Sequence, residues 1–366
     1  MSKSSQCGRD QLPGTQDVPL VSVIIGTYNG EKYLDLAIES LLNQTFRDFE
    51  LIVIDDCSTD DTLKVLEEIK DGRMRVIRNH RNLGIPGTLN KAIDLAIGKY
   101  IAFMDHDDVS LPDRLHLQSQ FLDGHPEVAM VGSSCRFIDD SGNVVKDVQA
   151  KCDDATLRWR LLWYNPFIQT TLMVRRSVLA EIGGYSCDPM YKFSEDFEMM
   201  SRLALRYAVA NLPQSLACWR RHAASTSASV SIGNRLHESG ANISLRNVLE
   251  VWQRSGERVP PDKAAYLYEG MWSFQFPARP GRAQASPRQI LCAPEYLKRL
   301  ECTFSNTTPG LQQTPSMRAA RYWQWSKRAT ALVVRQRWGL RLRVALLVDA
   351  LKLLFYAGWC LAKKRT

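Results

Sequence analysis

Apolar runs that end on acids set the rhythm of this chain. Leu20 to Ile25 is rich in β-branched residues and stops at Gly26. Leu51 to Ile54 stops at Asp55-Asp56, and Tyr100 to Met104 stops at Asp105-His106-Asp107-Asp108. Runs of this length and composition predict buried parallel strands. Between them, Glu31 to Asn43 sets Leu34, Ile38, Leu41 and Leu42 on one face, which predicts a helix. Ser58-Thr59-Asp60 reads as the cap of a helix from Asp61 to Lys70. Arg75 to Ile77 is a short strand, and Thr88 to Ile97 a helix closed by Gly98. This alternation predicts an α/β fold, a doubly wound sheet with right-handed crossovers.

Beyond the acids the rhythm changes. Pro112 opens a helix to Leu122, and Val128 to Val131 is a strand. Asp139-Asp140-Ser141-Gly142-Asn143 is a hairpin turn between Phe137-Ile138 and Val144-Val145. Ile168 to Val174 reads as a further strand, and Ser194 to Tyr207 as a helix. Helices follow near 235–255 and 262–273, then a Pro/Arg/Ala/Ser-rich linker at 277–288. The expected organisation is a disordered leader (1–18), a catalytic domain (19–225), a helical or irregular extension (226–313) and a basic helical tail (314–366).

Composition narrows the classes. The 366 residues carry a formal charge of +8, but residues 315–366 hold twelve basic side chains against one acid, Asp349. The remainder is therefore slightly acidic, and the tail needs its own explanation. Nine scattered cysteines, none spaced as CxxC, disfavour zinc and disulfide scaffolds and suit a reducing, cytoplasmic compartment. The polar opening Met1 to Pro19 lacks a signal-peptide apolar core.

The acids carry the chemistry. Three carboxylates within Asp105 to Asp108, at a strand exit, repel one another unless a cation joins them. Hard oxygen ligands select Mg²⁺ or Mn²⁺. Asp107 is the prime ligand, while Asp105 ligates through water or holds a ribose. The simpler alternative is a solvated turn with Asp108 capping the next helix. Asp55-Asp56 ends a neighbouring strand, where carboxylates accept from a nucleobase or ribose, or merely cap a helix before Ser58. Glu195-Asp196 opens a helix, as a general base or as ordinary helix electrostatics. His222 offers a metal or phosphate ligand, with Arg220 and Arg221 as anion partners, or a structural imidazole. Neither GxGxxG nor GxxxxGK[ST] follows the first strand, which disfavours dehydrogenase and P-loop chemistry.

Together Val21 to Gly30 (VSVIIGTYNG), Leu51 to Asp60 (LIVIDDCSTD), Asn82-Leu83-Gly84, Phe103 to Asp108 (FMDHDD) and Ser194-Glu195-Asp196 resemble family 2 glycosyltransferases of GT-A fold, from Pro19 to Ser225. The resemblance implies a Rossmann-like, mostly parallel central sheet flanked by helices, with a mainly helical C-terminal region. It implies inverting transfer from a nucleotide-diphosphate sugar to a glycan or lipid-linked acceptor. It assigns Thr27 and Asp56 to the nucleobase, Asp105 to the ribose or donor sugar, Asp107 to the metal, and Asp196 to the base with Glu195 beside it. Asn165 to Arg176 and Gly183-Gly184-Tyr185 resemble enzymes building capsule, exopolysaccharide or O-antigen, which usually show His-Pro where this chain has Gln169-Thr170.

Arginines alternate with leucines from Trp338 to Ala362, interrupted by Asp349 and Lys352. That pattern suits a basic amphipathic helix on an anionic membrane, peripheral on the inner face of the cell membrane, rather than a span. Packing on the catalytic domain is the alternative, and no nucleic-acid module accompanies the charge. Two other functions fit strand-end acids: a sugar nucleotidyltransferase, whose Gly/Arg/Lys-rich loop is missing, and a non-catalytic sugar-nucleotide-binding scaffold.

Overall fold

The computed structural model describes residues 18–225 and 230–254, with 256, 297, 300, 304–308 and 351. Strands β1 (Val21–Thr27), β2 (Phe49–Asp55), β3 (Met74–Arg78) and β4 (Tyr100–Asp105) alternate with helices α1 (Leu34–Leu42), α2 (Thr62–Glu68) and α3 (Gly84–Leu95). There follow β5 (Val109–Ser110), α4 (Arg114–Gly124), β6 (Val128–Ile138), β7 (Val144–Val148) and α5 (Asp154–Leu161). The last part comprises β8 (Met173–Arg175), α6 (Arg176–Ile182), α7 (Glu195–Ala204), β9 (Ala208–Arg220) and α8 (Val230–Gln253).

Alternation along the central strands explains the layers. Val21, Val23, Ile25, Leu51, Val53, Ala102 and Met104 face one core with Leu34, Ile38 and Leu41 of α1 and Leu115 of α4. Ile24, Ile52, Ile54, Ile101 and Phe103 face the other, with Leu89, Ala92 and Ile93 of α3 and Met199, Met200 and Leu203 of α7. Each fully buried side chain of this size contributes about 1.5–3 kcal/mol. Both faces are covered, so the runs read as continuously apolar.

The sheet runs β3-β2-β1-β4-β8-β6-β9-β5, with β7 on β6. The first four strands are parallel. β8 pairs antiparallel with both β4 and β6, so the sheet is mixed in its second half. The order reverses at β1, which lies between β2 and β4, and the carboxyl ends of these strands form the switch point where open α/β sheets bind ligands. Register places Thr27 opposite Asp55 and Gly26 opposite Asp105.

Several elements differ from the sequence expectations. Ile168 to Val174 is a 3₁₀ turn (Gln169–Thr171) followed by the short β8, because the Thr171 N–H and hydroxyl both return to the Ile168 carbonyl at 2.9 and 2.7 Å. β6 continues to Ile138 through Gly132-Ser133-Ser134, whose polarity hid a buried strand. Within the expected cap Ser58-Thr59-Asp60, it is Asp60 that accepts from the Thr62 amide at the start of α2, at 3.1 Å. The hairpin turn forms as expected, with Gly142 at φ 87°. The leader up to residue 17, the helix at 262–273, the linker and the basic tail (Leu351 apart) lie outside the described residues. Among the described residues no helix is long and apolar enough to cross a membrane.

Candidate active site

The site is built on three strand ends and the turns that leave them. After β1 the chain turns through Asn29, at φ 53°, whose N–H donates to Ser58 Oγ at 2.9 Å and whose Oδ1 accepts from the Thr59 amide at 2.9 Å. The Gly30 amide donates to Thr62 Oγ1 at 2.8 Å. These bonds stitch the β1–α1 turn to the β2–α2 turn. A Cβ on Gly30 would stand 2.4 Å from Thr27 Oγ1 and 2.9 Å from His106 Cδ2, so only glycine permits this approach. Thr27 Oγ1 itself is buried with no protein partner among the described residues.

Asp55 and Asp56 divide their work. Asp55 is fully buried, accepts from the Ser58 amide at 3.2 Å and pairs with Arg78 Nε at 3.3 Å. Asp56 accepts from Asn79 Nδ2 and the Leu83 amide, both at 2.8 Å, and from the Gly84 amide at 2.9 Å. It therefore anchors the start of α3, a capping role at a different helix from the one the sequence suggested. Asn79, which sequence reasoning did not single out, is held in turn by Lys91 Nζ at 2.7 Å.

The acids after β4 separate by depth. Asp107 Oδ2 lies 2.8 Å from His222 Nε2, both side chains being mostly buried. Asp108 is buried beneath them and accepts from the Arg220 amide at 2.7 Å, so it does not cap α4. Burial, then the charges of Asp105 and Asp107, push its carboxyl well above the usual range. Burial, with Asp107 beside it and Asp196 facing it, lifts Asp105 to about 7 against the pull of the Gln169 amide. The cation that the acids require is partly internal. Arg114 is fully buried, donates to the carbonyls of Phe103 and Leu172 at 2.8 and 3.0 Å, and feels the charges of Asp108 and Asp105.

Arg220 corrects a sequence expectation. It is buried, its Nε donates to the Asp107 carbonyl at 2.8 Å, and its Nη1 to the carbonyls of Asp139 and Asp140 at 3.1 and 3.2 Å. Its guanidinium also lies over the Tyr33 ring at 4.6 Å, so it braces the loop instead of offering itself to an anion.

Asp196 closes the site from α7. One oxygen accepts from the Phe197 amide at 2.7 Å and the other from Asn165 Nδ2 at 2.8 Å. Burial raises its carboxyl to about 6; those two hydrogen bonds oppose the rise and the Glu195 charge adds to it. A relay missed by sequence reasoning links the halves: Tyr185 Oη donates to Gln169 Oε1 at 3.1 Å, and Gln169 Nε2 donates to Asp105 Oδ1 at 3.0 Å. Its signal was present in Gln169 standing where a histidine was expected. The structure thus brings Asp105, Asp107, His222 and Asp196 to one end of the sheet, with Thr27 and Asp56 on the adjacent strands.

Among the described residues no three of His, Cys, Asp and Glu gather as a closed ion cage. The Asp107–His222 pair nonetheless fits a divalent ion of the Mg²⁺ or Mn²⁺ kind. Such ions take one or two protein ligands and complete their shell with water and substrate phosphates.

Comparison with known proteins gives the family and the fold. The sequence model of glycosyl transferase family 2 matches residues 22–183. An uncharacterised glycosyltransferase of Haemophilus influenzae is 34% identical over 225 residues, covering 58% of this chain and 68% of the relative. Escherichia coli WfaP, a UDP-Glc:α-D-GlcNAc-diphosphoundecaprenol β-1,3-glucosyltransferase, is 40% identical over 104 residues, 28% of this chain and 41% of its own. The chain spans about a fifth to two thirds of the length of other curated relatives it matches. Among solved structures, S. aureus TarS 1-349 with UDP-GlcNAc superposes with a TM-score of 0.54 at 18% identity, covering 92% of this chain and 90% of that one. At that identity the likeness speaks for the fold alone.

Proposed function

The chain belongs to glycosyl transferase family 2 and has the GT-A fold, and from that premise we propose that it is an inverting, metal-dependent enzyme of surface polysaccharide synthesis. It moves a sugar from a nucleotide-diphosphate sugar to a hydroxyl of a glycan or lipid-linked acceptor. The carrying observation is the half-buried Asp196 carboxyl on α7, gripped by Asn165 at 2.8 Å, beside the acid row at the β1/β4 switch point. The UDP-Glc in the name of WfaP, 40% identical over the stretch it shares with this chain, supports a nucleotide-sugar substrate.

In this reading Thr27 and Asp56 lie at the nucleobase, Thr27 with an uncommitted hydroxyl and Asp56 as the anchor of the adjoining wall. Asp105, fixed by Gln169, faces the ribose and donor sugar. Asp107 and His222 would hold Mg²⁺ or Mn²⁺, which when bound neutralises charge on the departing diphosphate. Asp196, ionised at neutral pH, accepts the proton of the acceptor hydroxyl as that oxygen attacks the anomeric carbon. The bond from that carbon to the diphosphate breaks, and the electron pair leaves with the nucleotide. Glu195 raises the basicity of Asp196 through its charge. On the membrane side, the basic tail is proposed to rest on an anionic cytoplasmic surface.

The test is nucleotide release from UDP-, GDP- and dTDP-sugars, with and without Mn²⁺, in the presence of candidate glycan and lipid-diphosphate acceptors. Release dependent on one nucleotide, with a product of opposite anomeric configuration by proton NMR, is expected. Retained configuration overturns the single-displacement reading, and turnover of the nucleotide sugar unaffected by chelation overturns the metal.

A further inference from the structure

The sequence-based domain boundary after residue 225 leaves α8 outside the catalytic domain, yet its buried polar side chains converge on the surroundings of Asp196. Ser239 Oγ lies 2.7 Å from Ser194 Oγ, immediately before α7. Arg246 bonds Glu198 through Nη1 and Ser201 Oγ through Nη2, the latter at 2.8 Å. Ser194, Glu198 and Ser201 are spaced i, i+4, i+7, a single stripe of α7, while Asp196 points from another face toward Asn165. Two bonds of α8 reach the segment that carries Asn165. Ser244 Oγ shares its proton between the Trp163 carbonyl and the Gly240 carbonyl of its own helix, each at 2.8 Å, and Asn247 Nδ2 donates to the Leu161 carbonyl at 2.9 Å.

Both supports of Asp196 therefore rest on one helix: the backbone that bears it and the amide that grips it. Ser244 and Asn247 are fully buried and Glu198 nearly so. Burying such groups is unfavourable unless each finds a partner, so their placement here is specific. Glu198 also passes the link onward. It binds Arg202, whose guanidinium holds the carbonyls of Ile182 and Gly184, just ahead of Tyr185 and the Gln169 relay.

We propose that α8 is part of the catalytic apparatus, with Arg246 and Asn247 as positioning residues that set the Asp196 carboxylate against the acceptor hydroxyl. This rests on the reading of Asp196 as the base. A displaced base slows the proton transfer and leaves the donor pocket on β1, β2 and β4 intact.

The test uses the full chain and four variants: Arg246→Met, Arg246→Lys, Asn247→Leu and Asp196→Asn. Steady-state transfer gives kcat, and donor titration gives Kd for the nucleotide sugar. Arg246→Met and Asn247→Leu are expected to lower kcat by about 10- to 100-fold, the effect of a small misplacement of a reacting group. Donor Kd should stay within about twofold of wild type, and Arg246→Lys should recover part of kcat, since an ammonium can keep the Glu198 bond but not the forked contact with Ser201. Wild-type kcat in Arg246→Met and Asn247→Leu overturns the proposal, as does a donor Kd that worsens in step with kcat. Asp196→Asn separates the two readings. Its full activity removes the base and the proposal with it; its inactivity beside fully active α8 variants removes the positioning role alone.

Discussion

Nε2 of His222 stands 2.8 Å from Oδ2 of Asp107, a residue from the other side of the sheet's carboxyl edge. The imidazole ring also leans on Tyr33, centroid to centroid 5.0 Å, so it is held in place by packing as well as by the carboxylate. In the proposed reading this oxygen and ring nitrogen supply two positions of a divalent ion's shell. With Mn²⁺ and donor at about a hundred times its dissociation constant, wild type should gain roughly 2.7 kcal/mol of stability. Asp107→Ala should lose the Mn²⁺-dependent part of that gain, and His222→Ala should weaken it. Thermal shift with and without Mn²⁺ reads both; an undiminished metal effect in Asp107→Ala excludes this pair.

Asp196 sets a pH limb. Its carboxyl sits at about 6 instead of the ordinary 3.8, so transfer should fall as pH drops through about 6 and the base becomes protonated. The stability effect has the opposite sense. A folded-state value above the unfolded one favours the protonated fold, so wild type loses stability as pH rises from 3.8 to about 6. Asp196→Asn should therefore be more stable than wild type at neutral pH, with the difference fading between those two values as pH falls. Denaturant melts from pH 4 to 8 beside a pH–rate profile would check both signs.

Gln169 joins Tyr185 to Asp105 through one planar amide that accepts from the first and donates to the second. Gln169→Leu should leave the buried Tyr185 hydroxyl unpaired, costing about 1–3 kcal/mol of stability, and should raise the donor KM. Gln169→Glu should be worse for donor binding, since it sets another carboxylate against Asp105. Donor affinity equal to wild type in both variants would remove Asp105 from the donor site.

Arg114 is a buried charge beneath the acids after β4. Arg114→Met should take the guanidinium donor from the Phe103 and Leu172 carbonyls, the latter keeping only the Phe103 N–H, and the internal cation from the acids. The expected loss is about 3–5 kcal/mol, the range for breaking a buried charged network. Urea unfolding at pH 7 measures it, and a loss under 1 kcal/mol would show that solvent can take over.

The half of the site on β1, β2 and β4 was legible because buried parallel strands are unbroken apolar runs, and because their ends are marked by Thr27, Asp55-Asp56 and Asp105. The other half was less so. Gly132-Ser133-Ser134 masked the middle of β6, and the threonines after Ile168 turned an expected strand into a 3₁₀ turn. Arg220 looked like an anion partner because its role depends on carbonyls at Asp107, Asp139 and Asp140 that only the folded sheet brings together. Asn79, Arg114 and the α8 side chains act through distant partners, and neither period nor spacing announces such contacts.

The parallel pairing of β9 with β6 also bears on how the chain reaches this state. β1 to β4 assemble from neighbouring strand–helix units, whose closure involves short loops. His222 reaches Asp107 when β9 has paired with β6 and with β5, the strand that follows the acids, after α5, β8 and α7 have been made. Distant pairings of this kind form slowly, because their loop-closure entropy is lost before any contact compensates it. During synthesis, the acids of the switch point thus emerge and pack well before the histidine that pairs with Asp107, and that contact arrives as a late event of folding.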